Sequence, residues 1–395
     1  MSLFPQPPEN EPYTLTARWI LPIDAPPLPH GLLTLQGDHI VAVEPQGARQ
    51  ADLDFGNAAI LPGLVNAHTH LDLSDAAGKC PPTPDFTLWL RQVIAHRRAQ
   101  SEEDKARAVA TGIEQCVRYG TTLVGDIAAG GVSWDALTRV PLHSVVFHEL
   151  IGLAPDRARE ALLQADRCGR HPDADRRPGL SPHAPYSFNF DAARAIAPRE
   201  VPVALHFLES AAEAELLAHH TGPFVPFLQE LSAWAPEGLA PPQAWVDLLG
   251  DHALFIHANF AASLPRLPRT VVYCPRTHAA FGHPPHPFRA MLARGTRVAL
   301  GTDSLASNPD LDVLAEARFL HARYPDVPGD ALLRMITLSG AEALGWGTTA
   351  GSLTPGKAGD LIVAPLDNTD GQAEDVVLGS AQAVRHVLFR GRWRS

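Results

Sequence analysis

Cysteine is scarce in this 395-residue chain. There are four, Cys80, Cys116, Cys168 and Cys274, and no two form a C-x-x-C pair. That pattern speaks against a disulfide framework and reads as free thiols in a reducing compartment. Basic charge is also short: 32 Lys and Arg against 43 Asp and Glu leave a net charge of −11. Nucleic acid and anionic membrane would both repel such a surface, so neither is expected as a partner. No apolar run approaches the length needed to span a bilayer. The first residues, MSLFPQPPEN, hold no basic stretch followed by an apolar one. No signal peptide is therefore expected, and the cytoplasm is the expected location. Internal repeats and low-complexity tracts are absent as well.

Proline and glycine are plentiful instead, at 37 and 30 residues, and mark many short turns. Between the turns, short apolar runs alternate with longer helical stretches, the pattern of a parallel sheet wrapped by helices. Eight runs can be placed, at 59–66, 121–127, 142–150, 179–183, 201–208, 253–259, 270–274 and 297–302. Helices are expected at 86–116, 191–196, 211–220 and 311–322. Eight strands each followed by helix give a (β/α)8 TIM-type barrel, with residues 59–348 as its span. Residues 1–58 and 349–395 fall outside it. They contain further strands at 14–21, 31–36, 40–44, 360–365 and 383–390, with Gly37-Asp38 as a hairpin turn. Neither end has enough apolar surface to fold alone, so the two are expected to pair into one small β unit.

In such a barrel the functional side chains lie just past the carboxyl ends of the strands. The first strand runs into His68-Thr69-His70. A spacing of two at a strand end puts both imidazoles on one face, where they can share a metal. The fifth strand carries His206 and, three residues on, Glu209. His206 is placed to be a third ligand and Glu209 to be a proton shuttle. The eighth strand leads to Asp303, which can ligate a metal and accept a proton from its water. The sixth carries His257, a partner for that water. Three neutral imidazoles and one carboxylate suit one divalent ion, zinc first and iron second. His96, His171, His219, His220 and His321 read as surface residues, and Trp134, Trp234, Trp245 and Trp346 as packing.

The strand contexts LPGLVNAHTH, ALHFLES, FIHANF and LGTDS, with the tail GSLTPGKAGDLIV, resemble the amidohydrolase superfamily, over nearly the whole chain. More narrowly they are similar to its cytosine deaminase, chlorohydrolase and adenosylhomocysteine deaminase branch. The resemblance implies that the terminal strands form one β-sandwich beside the barrel. It also implies a single metal, since no lysine stands at the end of the third or fourth strand to bridge two. The implied chemistry is attack by metal-activated water on a carbon bearing an amino group, with Asp303 and His257 handling the water. Glu209 would protonate the adjacent ring nitrogen and help ammonia depart.

The substrate implied is a purine nucleoside. His183, in SPHAPYS, matches a histidine that contacts the nucleoside in such relatives. The extended element Cys274-Pro275-Arg276-Thr277-His278-Ala279-Ala280-Phe281-Gly282-His283 is similar to aminodeoxyfutalosine deaminases of menaquinone biosynthesis. On that resemblance Arg276, His278 and His283 are candidate binders, Arg276 for the aromatic carboxylate. Relatives acting on methylthioadenosine often carry a glutamate before the residue matching Trp89. Here Leu88 stands there, with Asp72 and Asp85 as candidate substitutes. Glu149, ending the third strand, faces the pocket or forms a salt bridge. The alternatives are deamination of adenosylhomocysteine, methylthioadenosine or guanine, a formimino or triazine hydrolase, and a non-enzymatic binding protein on the same scaffold. Retention of Glu209 speaks against chlorohydrolases, and retention of every ligand speaks against a binding protein. A homodimer is expected by analogy alone.

Overall fold

Gly63 divides the first long apolar run. In the computed structural model, which describes residues 6–394, the strand expected at 59–66 is two strands, Ala58–Pro62 and Leu64–Thr69, in different sheets. The Gly63 N–H donates to the Asp360 carbonyl at 2.9 Å, and a β-carbon there would collide with the Thr122 side chain. The chain can therefore change sheets only through a residue without a side chain.

From Leu64 onward the structure is an eight-stranded parallel sheet in sequence order. Its strands are Leu64–Thr69, Thr121–Ala128, His143–Leu150, Arg176–Pro182, Val203–Phe207, Ala253–His257, Thr270–Tyr273 and Arg297–Leu300. The (β/α)8 expectation is met, with ends shifted by up to three residues apart from the start of the first strand, which moves by five. The first and eighth strands meet at their carboxyl ends. There Thr302 and Asp303 each donate an N–H to the His68 carbonyl, both at 3.1 Å, and the Asn66 side chain bonds Thr302 twice. Gly301 makes this approach possible: a β-carbon on it would lie 2.7 Å from the His68 carbonyl oxygen and 2.8 Å from the His68 nitrogen.

Alternation along each strand decides what faces inward. Val145, Phe147, Ala204, Leu254, Ile256, Val272 and Ala299 form one buried cluster inside the sheet. Two residues beyond members of that set stand Glu149, His206 and, by way of Gly301, Asp303. The opposite faces pack under helices in the largest cluster, with Phe207, Phe255, Trp245 and Leu333.

The terminal segments build two sheets beside the barrel. One has four strands: Tyr13–Thr16, Leu32–Gln36, His39–Glu44 and Leu53–Asp54. The expected hairpin pairs Gln36 with His39 across Gly37-Asp38. The other has six and joins the two ends of the chain, Ala58–Pro62 running antiparallel to Leu361–Pro365. The strand expected at 14–21 is split between these sheets, as Tyr13–Thr16 and Trp19–Ile20. The helix expected at 86–116 is likewise two, Phe86–Ala99 and Glu102–Arg118. Gln100, in extended backbone, ends the first, and Ser101 starts the second by a reciprocal capping box with Asp104.

Candidate metal centre and active site

His68, His70, His206 and Asp303 converge at the carboxyl end of the barrel, none more than 7% exposed. His70 Nε2 and His206 Nε2 are 3.2 Å apart, and His68 Nε2 is 3.4 Å from Asp303 Oδ1. Ligand atoms on a zinc tetrahedron with bonds of about 2.05 Å lie about 3.3 Å apart. His68, fully buried, has no hydrogen-bond partner on either ring nitrogen. A buried polar atom without a partner is costly, and a cation is what four converging lone-pair donors lack. Three overlapping groups of donors come within 4.8 Å of one another: His68, His206 and His257; His68, His70 and Asp303; Glu209, His257 and Asp303. The residues therefore fit a divalent ion.

Tautomer and charge agree. The His206 Nδ1–H donates to the His183 carbonyl at 2.9 Å, leaving Nε2 free to ligate. Burial lowers the pKa of His70 and of His257 to about 3, and that of His206 well below the ordinary value, so the imidazoles are neutral. Burial would raise Asp303, but its close approach to His68, with His257 and His70 nearby, holds it below the usual range. Glu209 goes the other way. Burial, then the negative charges of Asp303 and Glu213, push it well above the usual range. Glu209 Oε1 lies 3.5 Å from His257 Nε2. Of the two neighbouring acids, Glu209 is thus biased toward holding its proton and Asp303 toward losing it.

The backbone carries strain at these strand ends. Leu208, His257, Ala258 and Asp303 all have positive φ, at 47°, 68°, 52° and 60°. Such a conformation costs about 1–3 kcal/mol per residue and persists only where the surroundings enforce it.

A narrow cleft, with a cavity of about 60 Å³, opens over the centre. Its lining includes His70, His183, His206, Glu209, His257 and Asp303, with an apolar side of Leu73, Trp89, Leu90 and Val93. Trp89 packs edge-on against Phe281 with centroids 5.0 Å apart, and Phe281 stacks on His283.

Several expected binders lie elsewhere. Arg276 is not available to a ligand: it donates to Glu316 Oε1 at 2.7 Å and to Asp310 Oδ1 at 2.6 Å. Glu316 is fully buried and needs that cation. His278 and His283 stand outside the lining, behind His286, whose Nε2–H donates to the His257 carbonyl at 2.8 Å. Asp85 is the N-cap of Phe86–Ala99, and Leu88 faces solvent. Among the histidines read as surface, His96 pairs with Asp75 at 2.9 Å and is mostly covered.

Three residues not singled out in the sequence shape the site. Arg97 lines the cleft, donating to Glu149 Oε2 at 3.0 Å and lying 3.2 Å from Asp72 Oδ2 and 3.4 Å from His70 Nδ1. Burial would raise Glu149, but the charge of Arg97, with His183 and His70 nearby, takes its pKa down to about 2. Glu213 accepts the N–H groups of Leu208 and Glu209. His286 is the third. Only Glu213 left a readable signal, as the fourth residue of Ser210-Ala211-Ala212-Glu213, a capping-box pattern. Arg97 sits in a basic last turn, where helix-dipole compensation explains it equally well.

Comparison with known proteins agrees with this geometry. The sequence profile described as amidohydrolase family matches residues 59–394. A 5-methylthioadenosine/S-adenosylhomocysteine deaminase of Syntrophobacter fumaroxidans is 29% identical, over 92% of this chain and 87% of its own length. An aminodeoxyfutalosine deaminase of Deinococcus radiodurans is 29% identical, over 73% of this chain and 74% of its own. Among solved structures, an adenosine deaminase of Xanthomonas campestris with bound zinc superposes with a TM-score of 0.80. It is 24% identical, and the match covers 98% of this chain and 93% of that one.

Proposed function

This chain belongs to the amidohydrolase family, hydrolases acting here on C–N bonds, and we propose that it deaminates an adenine nucleoside, with 6-aminodeoxyfutalosine as substrate and a futalosine-type product. The observation that carries the deaminase reading is the convergence of Glu209, His257 and Asp303, with ligand atoms within 4.8 Å of one another, at the end of the barrel. Hydrolytic loss of an amino group needs one base for the attacking water and one acid for the ring.

A divalent ion, zinc by preference, held by His68, His70, His206 and Asp303, would supply a water whose pKa is brought down to roughly 7. Asp303 and the neutral His257 orient that water and take its proton. Glu209 gives its proton to the ring nitrogen next to the amino-bearing carbon, then helps deliver one to the leaving amine. Glu213 fixes the height of Glu209 by holding its backbone N–H at 2.8 Å. His183, whose Nδ1 is 2.7 Å from the Ser187 hydroxyl, offers Nε2 to the purine. Trp89, backed by Phe281 and His283 outside the lining, provides a wall for an aromatic 5′ substituent. His278 would act through that wall and not by direct contact.

A second reading is favoured by the capture of Arg276. With that guanidinium engaged, a neutral 5′ group such as methylthio needs no cation, which favours methylthioadenosine. Ammonia release from zinc-loaded protein, measured on aminodeoxyfutalosine, methylthioadenosine, adenosylhomocysteine, adenosine, guanine and cytosine, decides between them. Preference for the first supports the stated substrate. Preference for another nucleoside keeps the chemistry and replaces the substrate. Ammonia from none of them removes the deaminase reading.

A further inference from the structure

Glu149 holds an unfilled acceptor. Its side chain is 3% exposed and lines the cleft. Oε2 takes the Arg97 hydrogen bond, whereas Oε1 is buried without any donor, with His183 Nε2 at 3.8 Å. A carboxylate oxygen left in this state loses the hydrogen bonds that water gave it, a cost of about 1–3 kcal/mol. Charge narrows what can fill it. Arg97 is one positive charge between two negative ones, Asp72 and Glu149, so the cluster keeps a net negative charge. A carboxylate or phosphate would be repelled, and a hydroxyl donor would be welcomed.

Position narrows it further. Glu209 ends the fifth strand and Glu149 the third, with His183 from the fourth between them. Two strand spacings amount to about 10 Å. That is close to the span of an adenine nucleoside from its amino-bearing edge to its sugar hydroxyls. With the reacting edge beside Glu209 and the purine along His183, the sugar arrives at Glu149.

We infer that Glu149, oriented by Arg97, is the acceptor for a ribose hydroxyl of the substrate, and so selects ribonucleosides over deoxynucleosides. This rests on the nucleoside reading above. The test compares kcat/KM for the preferred nucleoside with its 2′-deoxy and 3′-deoxy analogues, in wild type, Glu149→Gln and Glu149→Asp. A hydrogen bond to a charged acceptor predicts a wild-type preference for the ribonucleoside of about 10- to 100-fold over one of the two analogues. Both variants should compress that ratio to about threefold or less, with the analogue's own kcat/KM little changed. Metal content and melting temperature identify a misfolded variant. If Glu149→Gln fails there, the aspartate variant, which keeps the charge on Arg97 but withdraws the oxygen, carries the test. A ratio that survives in the folded variants overturns the inference alone, as does a wild type indifferent to both hydroxyls. A wild type that deaminates no nucleoside overturns this inference and the nucleoside reading together.

Discussion

The main-chain N–H of Glu209 donates to Glu213 Oε2 at 2.8 Å, and Glu213 Oε1 takes the N–H of Leu208 at 3.0 Å. Glu213 is fully buried, and burial brings its pKa up to about 7. It is thus a positioning residue that anchors the turn in which Leu208 has positive φ. Glu213→Gln turns one acceptor into a donor facing an N–H. We expect a loss of about 1–3 kcal/mol in stability and a drop in kcat of about tenfold or more, with KM little changed, read by urea denaturation and steady-state kinetics.

Gly301→Ala tests the barrel closure. Its β-carbon would press on the His68 backbone at 2.7 Å, and backbone cannot yield as a side-chain tip can. The expected cost is about 1–3 kcal/mol or more. His68 would be displaced with it, so metal content should fall along with the melting temperature.

His68→Ala removes a ligand from the middle of the donor cluster. The wild type should bind one divalent ion per chain. Chelation should abolish turnover and added zinc should restore it, whereas the variant should regain neither metal nor activity. Elemental analysis alongside the ammonia assay checks both.

Arg276→Ala should act on stability and spare KM. Removing the guanidinium strands Glu316, which is fully buried, and a broken buried pair costs about 3–5 kcal/mol. A raised KM with unchanged stability would reinstate Arg276 as a substrate contact.

His143 gives the pH dependence a sign. It starts the third barrel strand, with Nδ1 2.9 Å from Asp175 and Nε2 2.9 Å from Asp360 of the terminal segment. Burial disfavours its charge, but the two carboxylates outweigh that and raise its pKa above the ordinary 6.5. The folded protein therefore holds this proton more tightly than the unfolded chain. The stabilisation is complete below the unfolded value and is lost as the pH rises through the folded one. Unfolding free energy measured at about pH 5.5 and about pH 8.5 should fall more for the wild type than for His143→Gln.

The candidate ligands were legible because their chemistry is local. A histidine pair spaced by two, and a histidine followed by a glutamate at a strand end, announce themselves without neighbours. The division at Gly63 was not, because 59–66 is apolar throughout and only the Thr122 side chain and the Asp360 carbonyl make a glycine necessary there. Arg276 misled for the same reason. Its partners Asp310 and Glu316 lie more than thirty residues away, and nothing near it in the sequence says they are close. Arg97 reads as one more cation in the helix end His96-Arg97-Arg98, until packing sets it between Glu149 and Asp72.

The pairing of Ala58–Pro62 with Leu361–Pro365 also sets a clock. The second strand follows the first by about 300 residues, so at about 5–20 residues per second the ribosome takes about 15–60 s to supply it. Through that interval an apolar strand waits with an open edge, the kind of surface on which nascent chains stick to one another. The most exposed period in the life of this molecule falls before its last strands have been translated, and the speed of synthesis governs how long it lasts.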